Sequence, residues 1–381
     1  MKHFDVLSKS DLKAFFKYSP AEFSRDTARE TLGLALGAAL YTPGSRQDIA
    51  SKILGGNYRR GAFAGLATLI ICLEDAVADA ELVDAEKNVA EQLKRLDAAN
   101  SCQLTEGPAL FLRIRSAAQL DGLIASAGKA LSILTGIVFP KCDAENLRAF
   151  FQALDRASEA AGRNLYALPL LETKEVLYAE TRQHTLKEIY GILKEKADRI
   201  LTVRVGATDF SSLYGLRRPV ERTIYDVHVV RDCLVDIINQ FGRAEDGFIV
   251  SGPVYEHFST VQFPFVASEA EKTLWEEVQL DVLNGFKGKT CIHPSQIMTV
   301  NAGYMVTKET YDDASLILAE SGKFNGILQS PTRNKMNEVK PHLSWARKIA
   351  AQAEVYGVLN ENFKPIDVLN HIRSNQLSTQ L

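Results

Sequence analysis

Short apolar runs in this chain end repeatedly on charged or polar side chains, and those endings are where chemistry could be done. The run "TLIIC" leads through Leu73 to two adjacent acids, Glu74 and Asp75, and "LFLRI" carries Arg113 and leads to Arg115. "GIVFP" stops at Lys141 and "LYALPLL" at Glu172. Further along, "ILTVRV" gives way to Gly206 through Asp209, "GFIV" to Ser251, "KTCI" to His293, and the first run, "LGAALYTP", to Gly44, Ser45 and Arg46. A hydrophobic segment must end somewhere, so one polar exit says nothing. Eight exits that mix acids with bases would form an active-site mouth if the fold gathers them at one end.

The elements between them supply that gathering. From about residue 36 the apolar runs (36–44, 68–75, 110–114, 136–141, 165–172, 200–206, 247–254 and 289–294) alternate with amphipathic stretches such as "AELVDAEKNVAEQLKRLDAA" and "DAENLRAFFQALDRASEAAG". In these stretches the apolar residues recur at three and four. Continuous apolar runs joined by helical crossovers read as parallel strands buried on both faces. Eight such units predict an α/β fold, a (β/α)8 TIM barrel, whose functional groups project from the C-terminal ends of its strands. A doubly wound sheet is the rival, but no GxGxxG follows the first run.

The expected organisation is an N-terminal helical extension over 1–35, a barrel over 36–305 and a C-terminal helical segment over 306–381, with the polar stretch "FNGILQSPTRNKMNEV" as a loop. The extension could cover the barrel bottom or a neighbour. The apolar fraction of 46% and charged fraction of 24% describe an ordinary globular chain. With 44 basic and 47 acidic residues, the net charge of −3 argues against a broad nucleic-acid footprint. Cys72, Cys102, Cys142, Cys233 and Cys291 show no CxxC or zinc spacing and read as reduced thiols. The N-terminus has no continuous apolar h-region, and no run approaches the ~18 apolar residues that span a bilayer. A cytoplasmic protein with a small-molecule substrate is expected, without nucleic-acid or membrane partners.

The motifs, taken together, resemble the HpcH/HpaI aldolase and citrate lyase beta-subunit-like superfamily. "YTPGSR" is similar to its P-x-x-R, "ICLEDAV" to L-D-L-E-D-A-V, "FLRIRS" to V-R-I-N, and "VFPK" to L-P-K. "LLET" resembles its fifth-strand E-T, "GATDF" its G-x-x-D, and "GFKGKTCIHPSQI" its G-F-x-G-K-x-x-I-H-P-x-Q-I. The resemblance runs in order from about residue 36 to 320 and is greatest to the tellurium-resistance-associated carbon–carbon bond lyases.

The resemblance implies a Mg²⁺-dependent lyase or aldolase that makes or breaks a carbon–carbon bond through a stabilised enolate, on an oxo acid or a coenzyme A thioester. Glu172 and Asp209 match the metal ligands, and a hard cation that keeps several waters needs few carboxylates. Arg113 matches the enolate-stabilising donor, and Glu74 and Asp75 match acids that organise the surroundings of the metal. Arg46 and Lys52 match positions that meet coenzyme A phosphates. His293 and Lys141 match architectural positions. "NKMNE" resembles the segment that carries a catalytic base, which would be Glu338, sometimes supplied by an adjacent subunit. Homotrimers or hexamers are common in the family.

Plain structural roles compete with each assignment. Glu172 could be a surface acid favouring a helix dipole, Asp75 or Asp209 a helix cap, and Arg113 a partner of Glu74 or Asp75. The sequence also departs from the pattern: Cys72 replaces an Asp, Arg115 stands where Asn is usual and becomes a candidate substrate-binding residue, and Arg217, Arg218 and Arg222 follow Asp209. These added arginines would recognise extra negative charge on a less usual substrate, or face solvent. A thioester hydrolase or synthase on the same scaffold, and a non-catalytic barrel that only binds, are the rival functions.

Overall fold

The computed structural model describes residues 1–99, 107–259, 267–323 and 326–378. Seven strands form one parallel sheet: β1 (Ala38–Pro43), β2 (Thr68–Cys72), β3 (Ala109–Arg113), β4 (Gly136–Phe139), β5 (Tyr166–Leu171), β6 (Arg204–Val205) and β7 (Lys289–Cys291). Their order in the sheet is β6-β5-β4-β3-β2-β1-β7. The remaining gap is closed by the expected seventh run, in which Val250 bridges Val203 and Gly252 bridges Lys289. That run makes bridges rather than a full strand, and Pro253, which offers no N–H, follows the last of them. The sheet therefore closes into the expected barrel.

Alternation along the strands sorts the core into two parts. Ala39, Ile70, Phe111, Val138, Leu168 and Leu170 point into the barrel and form one cluster, while the alternate residues pack outward under the helices. The helices form where periodicity predicted them. Ala144–Ala161 is capped by Asp143, which accepts from the N–H groups of Glu145 and Asn146, and it ends at Gly162 with φ +66°.

The extension plugs the bottom. Leu32 and Leu36 join the interior cluster, and Arg29 donates to the carbonyl of Ile200 while Arg25 donates to those of Ser132 and Ile133. Residues 1–35 also contain a short strand, Phe16–Tyr18, antiparallel to Val358–Leu359 near the other end of the chain. Tyr356 donates to the Leu34 carbonyl at 2.9 Å and stacks on His3. The stretch expected as a polar loop instead forms an antiparallel hairpin, Ile327–Gln329 with Met336–Glu338. Asp313, buried below it, accepts from Ser330 and Asn337 and pairs with Lys335, giving the polar sequence a fixed anchor. Residues 324 and 325 of that stretch lie outside the described residues.

Cys72, Cys142, Cys233 and Cys291 are buried and unpaired, and burial pushes the thiols of Cys233 and Cys291 up to about 12, so they pack as small hydrophobes. Cys102 lies outside the described residues. No helix among the described residues is long and apolar enough to cross a membrane.

Candidate active site

The barrel does gather the acids and bases. Arg113 is the last residue of β3 and shares the inward face with Phe111. Its Nη2 lies 2.6 Å from Glu74, 3.0 Å from Asp75 and 2.9 Å from Glu172. One guanidinium thus joins the exits of β2, β3 and β5. The plain role weighed for Arg113, pairing with Glu74 or Asp75, is present, and Glu172 is added to it.

Lys141 completes the group. Its Nζ pairs with Glu74, and its backbone N–H donates to Glu172 Oε1 at 3.0 Å. To do both it adopts φ +47°, a left-handed conformation that costs a non-glycine residue energy and is held here by Asn146, which donates to the Lys141 carbonyl. Its place in the resemblance was architectural, yet it touches three acids of the cluster, Glu74 and Glu172 as above and Asp75 at 3.7 Å.

Glu172 is only 3% exposed, so it is no surface acid. Its Oε1 is taken by Arg113 and the Lys141 N–H, but among the described residues no base reaches its buried Oε2, whose neighbour is the acid Asp209. Burial pushes its pKa up to about 8, with Arg113 opposing the rise and neighbouring Asp209 adding to it. Gly206 makes the close approach possible: a Cβ there would stand 2.4 Å from Glu172 Oε2. Asp209 is the third residue of the short helix Ala207–Leu213, whose cap is Gly206, and burial and then Asp75 raise its pKa. Burial raises Glu74 as well, with Asp75 adding to the rise and Arg113 opposing it. For Asp75 burial works against ionisation, but Glu74 and Arg113 outweigh it and hold the pKa down. Asp75 caps no helix, since the next one starts at Asp79.

These residues fit a divalent cation. Four carboxylates (Glu74, Asp75, Glu172, Asp209) face two cations (Arg113, Lys141), leaving two negative charges when all are ionised. An acceptor without a donor, buried beside a second acid, is the donor set a hard cation needs.

A family model for carbon–carbon bond lyases of the TIM-barrel fold matches residues 30–358. The chain belongs to this family. It is a carbon–carbon lyase by that membership. Among solved structures, CitE from Mycobacterium tuberculosis, in complex with magnesium, acetoacetate and coenzyme A, is 22% identical with a TM-score of 0.53, over 84% of this chain and 99% of that one. RipC from Yersinia pestis is 18% identical with a TM-score of 0.47, over 71% and 95% of the two chains. The M. tuberculosis citrate lyase beta subunit complexed with oxaloacetate and magnesium is 20% identical with a TM-score of 0.46, over 72% and 99%. The first of these likenesses supports the barrel fold. None of the curated proteins compared with the chain matches it.

The remaining expected residues fall elsewhere in the lyase. Arg46 and Lys52 are brought together on the rim by Asp48, which accepts two hydrogen bonds from Arg46 at 3.0 Å and lies 2.8 Å from Lys52. The shared carboxylate between them had no signal beyond its spacing. Arg115, expected to bind substrate, instead clasps the loop after β2: it donates to the carbonyls of Leu73 and Val77 at 2.8 and 2.5 Å and pairs with Asp79. In this geometry it holds the segment that presents Glu74 and Asp75. Glu338 ends the C-terminal hairpin, where its N–H donates to His342, and among the described residues no hydrogen bond or ion pair links it to the mouth cluster. His293 caps the turn Pro294–Gln296 and stacks on Phe258 at 4.3 Å, an architectural part.

The arginines after Asp209 divide. Arg217 and Arg222 are exposed, but Arg218 is buried and bonded to Glu256, Glu277 and the Val254 carbonyl. It is unavailable to a substrate, because a sealed network holds it. In that network Lys289 lies 2.8 Å from Glu277 and 2.7 Å from Asp281, and Tyr225 donates to Asp281 at 2.7 Å. Arg204, buried on β6, is a further polar residue inside the barrel. A lone Arg inside an otherwise apolar run was the signal available for it.

Proposed function

We propose that the lyase cleaves or forms a carbon–carbon bond adjacent to a carbonyl, on an oxo acid or its coenzyme A thioester, with Mg²⁺ held by Glu172 and Asp209. The observation that carries this reading is the buried Glu172 Oε2, which no base reaches among the described residues, beside Asp209 in a cluster of four carboxylates and two bases. When bound, a divalent ion would supply Lewis-acid neutralisation of the charge that builds on the carbonyl oxygen as the bond breaks.

The chain's own residues do the rest. Arg113 ties Glu74, Asp75 and Glu172 together and offers a fixed positive charge to a developing oxyanion. Lys141 orients Glu74, and Arg115 keeps the loop of Glu74 and Asp75 in place. On the rim, Arg46 and Lys52 are the cations for thioester phosphates, with Asp48 holding them until a phosphate competes for them. A base role for Glu338 needs a second subunit, since its own barrel does not bring it to the mouth; a homo-oligomer, trimer or hexamer, would supply it.

Calorimetric titration of Mg²⁺ into the wild type and into Glu172→Gln tests the central assignment. Binding to the wild type and its loss in the variant are expected. Equal binding by both proteins would remove Glu172 as a ligand, and no binding by either would remove the metal from the mechanism.

A further inference from the structure

The inward face of the barrel has a second polar region, on β6, the 249–252 segment, β7 and β1. Arg204 pairs in register with Leu170, an inward residue of β5, and the bridge between Val203 and Val250 sets Ser251 beside Arg204 on the same face. Thr290 stands opposite inward Ala39, and Tyr41 is the next inward residue of β1. Arg204 Nη2 donates to Thr290 Oγ1 at 2.5 Å, and its guanidinium lies 5.9 Å from the centre of the Tyr41 ring.

What sets Arg204 apart is what it lacks. It is 1% exposed, its Nε has no acceptor, and among the described residues no carboxylate pairs with it. The other buried arginines and lysine described, Arg113, Arg182, Arg218 and Lys289, each have at least one. The neighbouring Ser251 Oγ is likewise buried without a partner. A guanidinium kept from water without a counter-anion is unfavourable unless a ligand supplies one. Arg204 also lies two residues before Gly206, the residue packed against Glu172, so this region and the acid cluster share a strand.

We propose that Arg204, with Ser251 and Thr290, binds a carboxylate of the substrate remote from the reacting carbonyl, and so selects a dicarboxylic over a monocarboxylic oxo acid. The planar fork of arginine matches a carboxylate, and its single charge matches a single anion. The two hydroxyls supply donors that a carboxylate can use and an apolar chain end cannot. The proposal deepens the reading above and rests on it.

The test titrates the full-length protein, with Mg²⁺ present, with pyruvate and with oxaloacetate, 2-oxoglutarate and 2-oxoadipate. At least one dicarboxylic probe is expected to bind about tenfold or more tightly than pyruvate. Arg204→Met is expected to bring that ratio to about one while pyruvate and Mg²⁺ affinities hold. No dicarboxylic preference in the wild type, a preference that survives the substitution, or an equal loss for both kinds of probe would overturn the proposal. If Arg204→Met does not fold by circular dichroism, Arg204→Lys and Ser251→Ala carry the same ratio, with a partial fall expected and an unchanged ratio overturning it. Failure of the metal reading is separate: pyruvate would then bind equally without Mg²⁺ or in Glu172→Gln, whereas the Arg204 assignment is read only from the ratio between probes.

Discussion

The charged side chains around Lys289 and those around Arg113 differ in balance. Around Lys289, two bases meet Glu277 and Asp281, both fully buried, with the partly exposed Glu256 at the edge, and short contacts join them throughout. Around Arg113, acids outnumber bases two to one, Glu172 keeps an oxygen without a donor, and Lys141 is about half exposed. Both groups are made of ordinary ion pairs. The sealed, nearly neutral one pins the Leu216–Arg222 loop and helix Glu269–Leu283 to β7, whereas the open, acid-rich one is left incomplete by the chain itself. An ion cluster therefore reads as structure when its charges close and as a site when they do not.

The comparison breaks most readily at Lys289. Lys289→Met would leave Glu277 and Asp281 facing each other in a dry interior, and a loss of about 3–5 kcal/mol in chemical denaturation is expected. A loss below about 1 kcal/mol would show that the sealed cluster contributes little to stability. Arg113→Met should do the reverse. Once a substrate is in hand, turnover is expected to fall by about 10²-fold or more, with a smaller stability loss, since its acids border the mouth. If denaturation shows Arg113→Met to be as destabilising as Lys289→Met, the two clusters are of one kind.

Titration sharpens the distinction. Glu172, raised to about 8 by burial, binds its proton more tightly in the folded chain than in the unfolded one, where the ordinary value is 4.5. Its contribution to stability is then full below the unfolded value and falls as pH rises towards 8. Asp281, raised to about 6 by burial against the pull of Lys289, follows the same sign but finishes sooner. Metal-free melting temperature should therefore keep falling between pH 6 and 8 because of the mouth, and Glu172→Gln should flatten that part of the curve. A slope unchanged in the variant would assign it elsewhere. The smallest effect is expected at Arg217→Ala and Arg222→Ala, exposed and outside both clusters, with stability within about 0.5 kcal/mol of wild type and turnover unaltered. A marked loss of turnover would return these arginines to the substrate.

Much of the fold was legible in the residues. "TLIIC" is buried along its whole length, and "DAENLRAFFQALDRASEAAG" carries its own caps, so local pattern and tertiary position agree there. The polar stretch before Val339 was misread because its anchor, Asp313, lies on another helix. At the mouth, Glu74, Asp75, Arg113 and Glu172 were visible as exits from apolar runs, and the structure joins them. Arg115 and Arg218 looked equally available, yet one is bonded to loop carbonyls and the other to Glu277, partners that spacing does not disclose.

The sequence by itself determined seven of the barrel's strands, their order, and which side chains stand at their ends, because periodicity and punctuation are properties of neighbours along the chain. Only the tertiary structure decided who meets whom. Arg113 reaches Glu172 across 59 positions, and Arg218 reaches Glu277 across the same separation. Among the described residues, Arg204 is left without a carboxylate by the same closure of the barrel. Whether a charge is satisfied depends on burial and on groups brought in from other strands, and both arise only when the sheet closes.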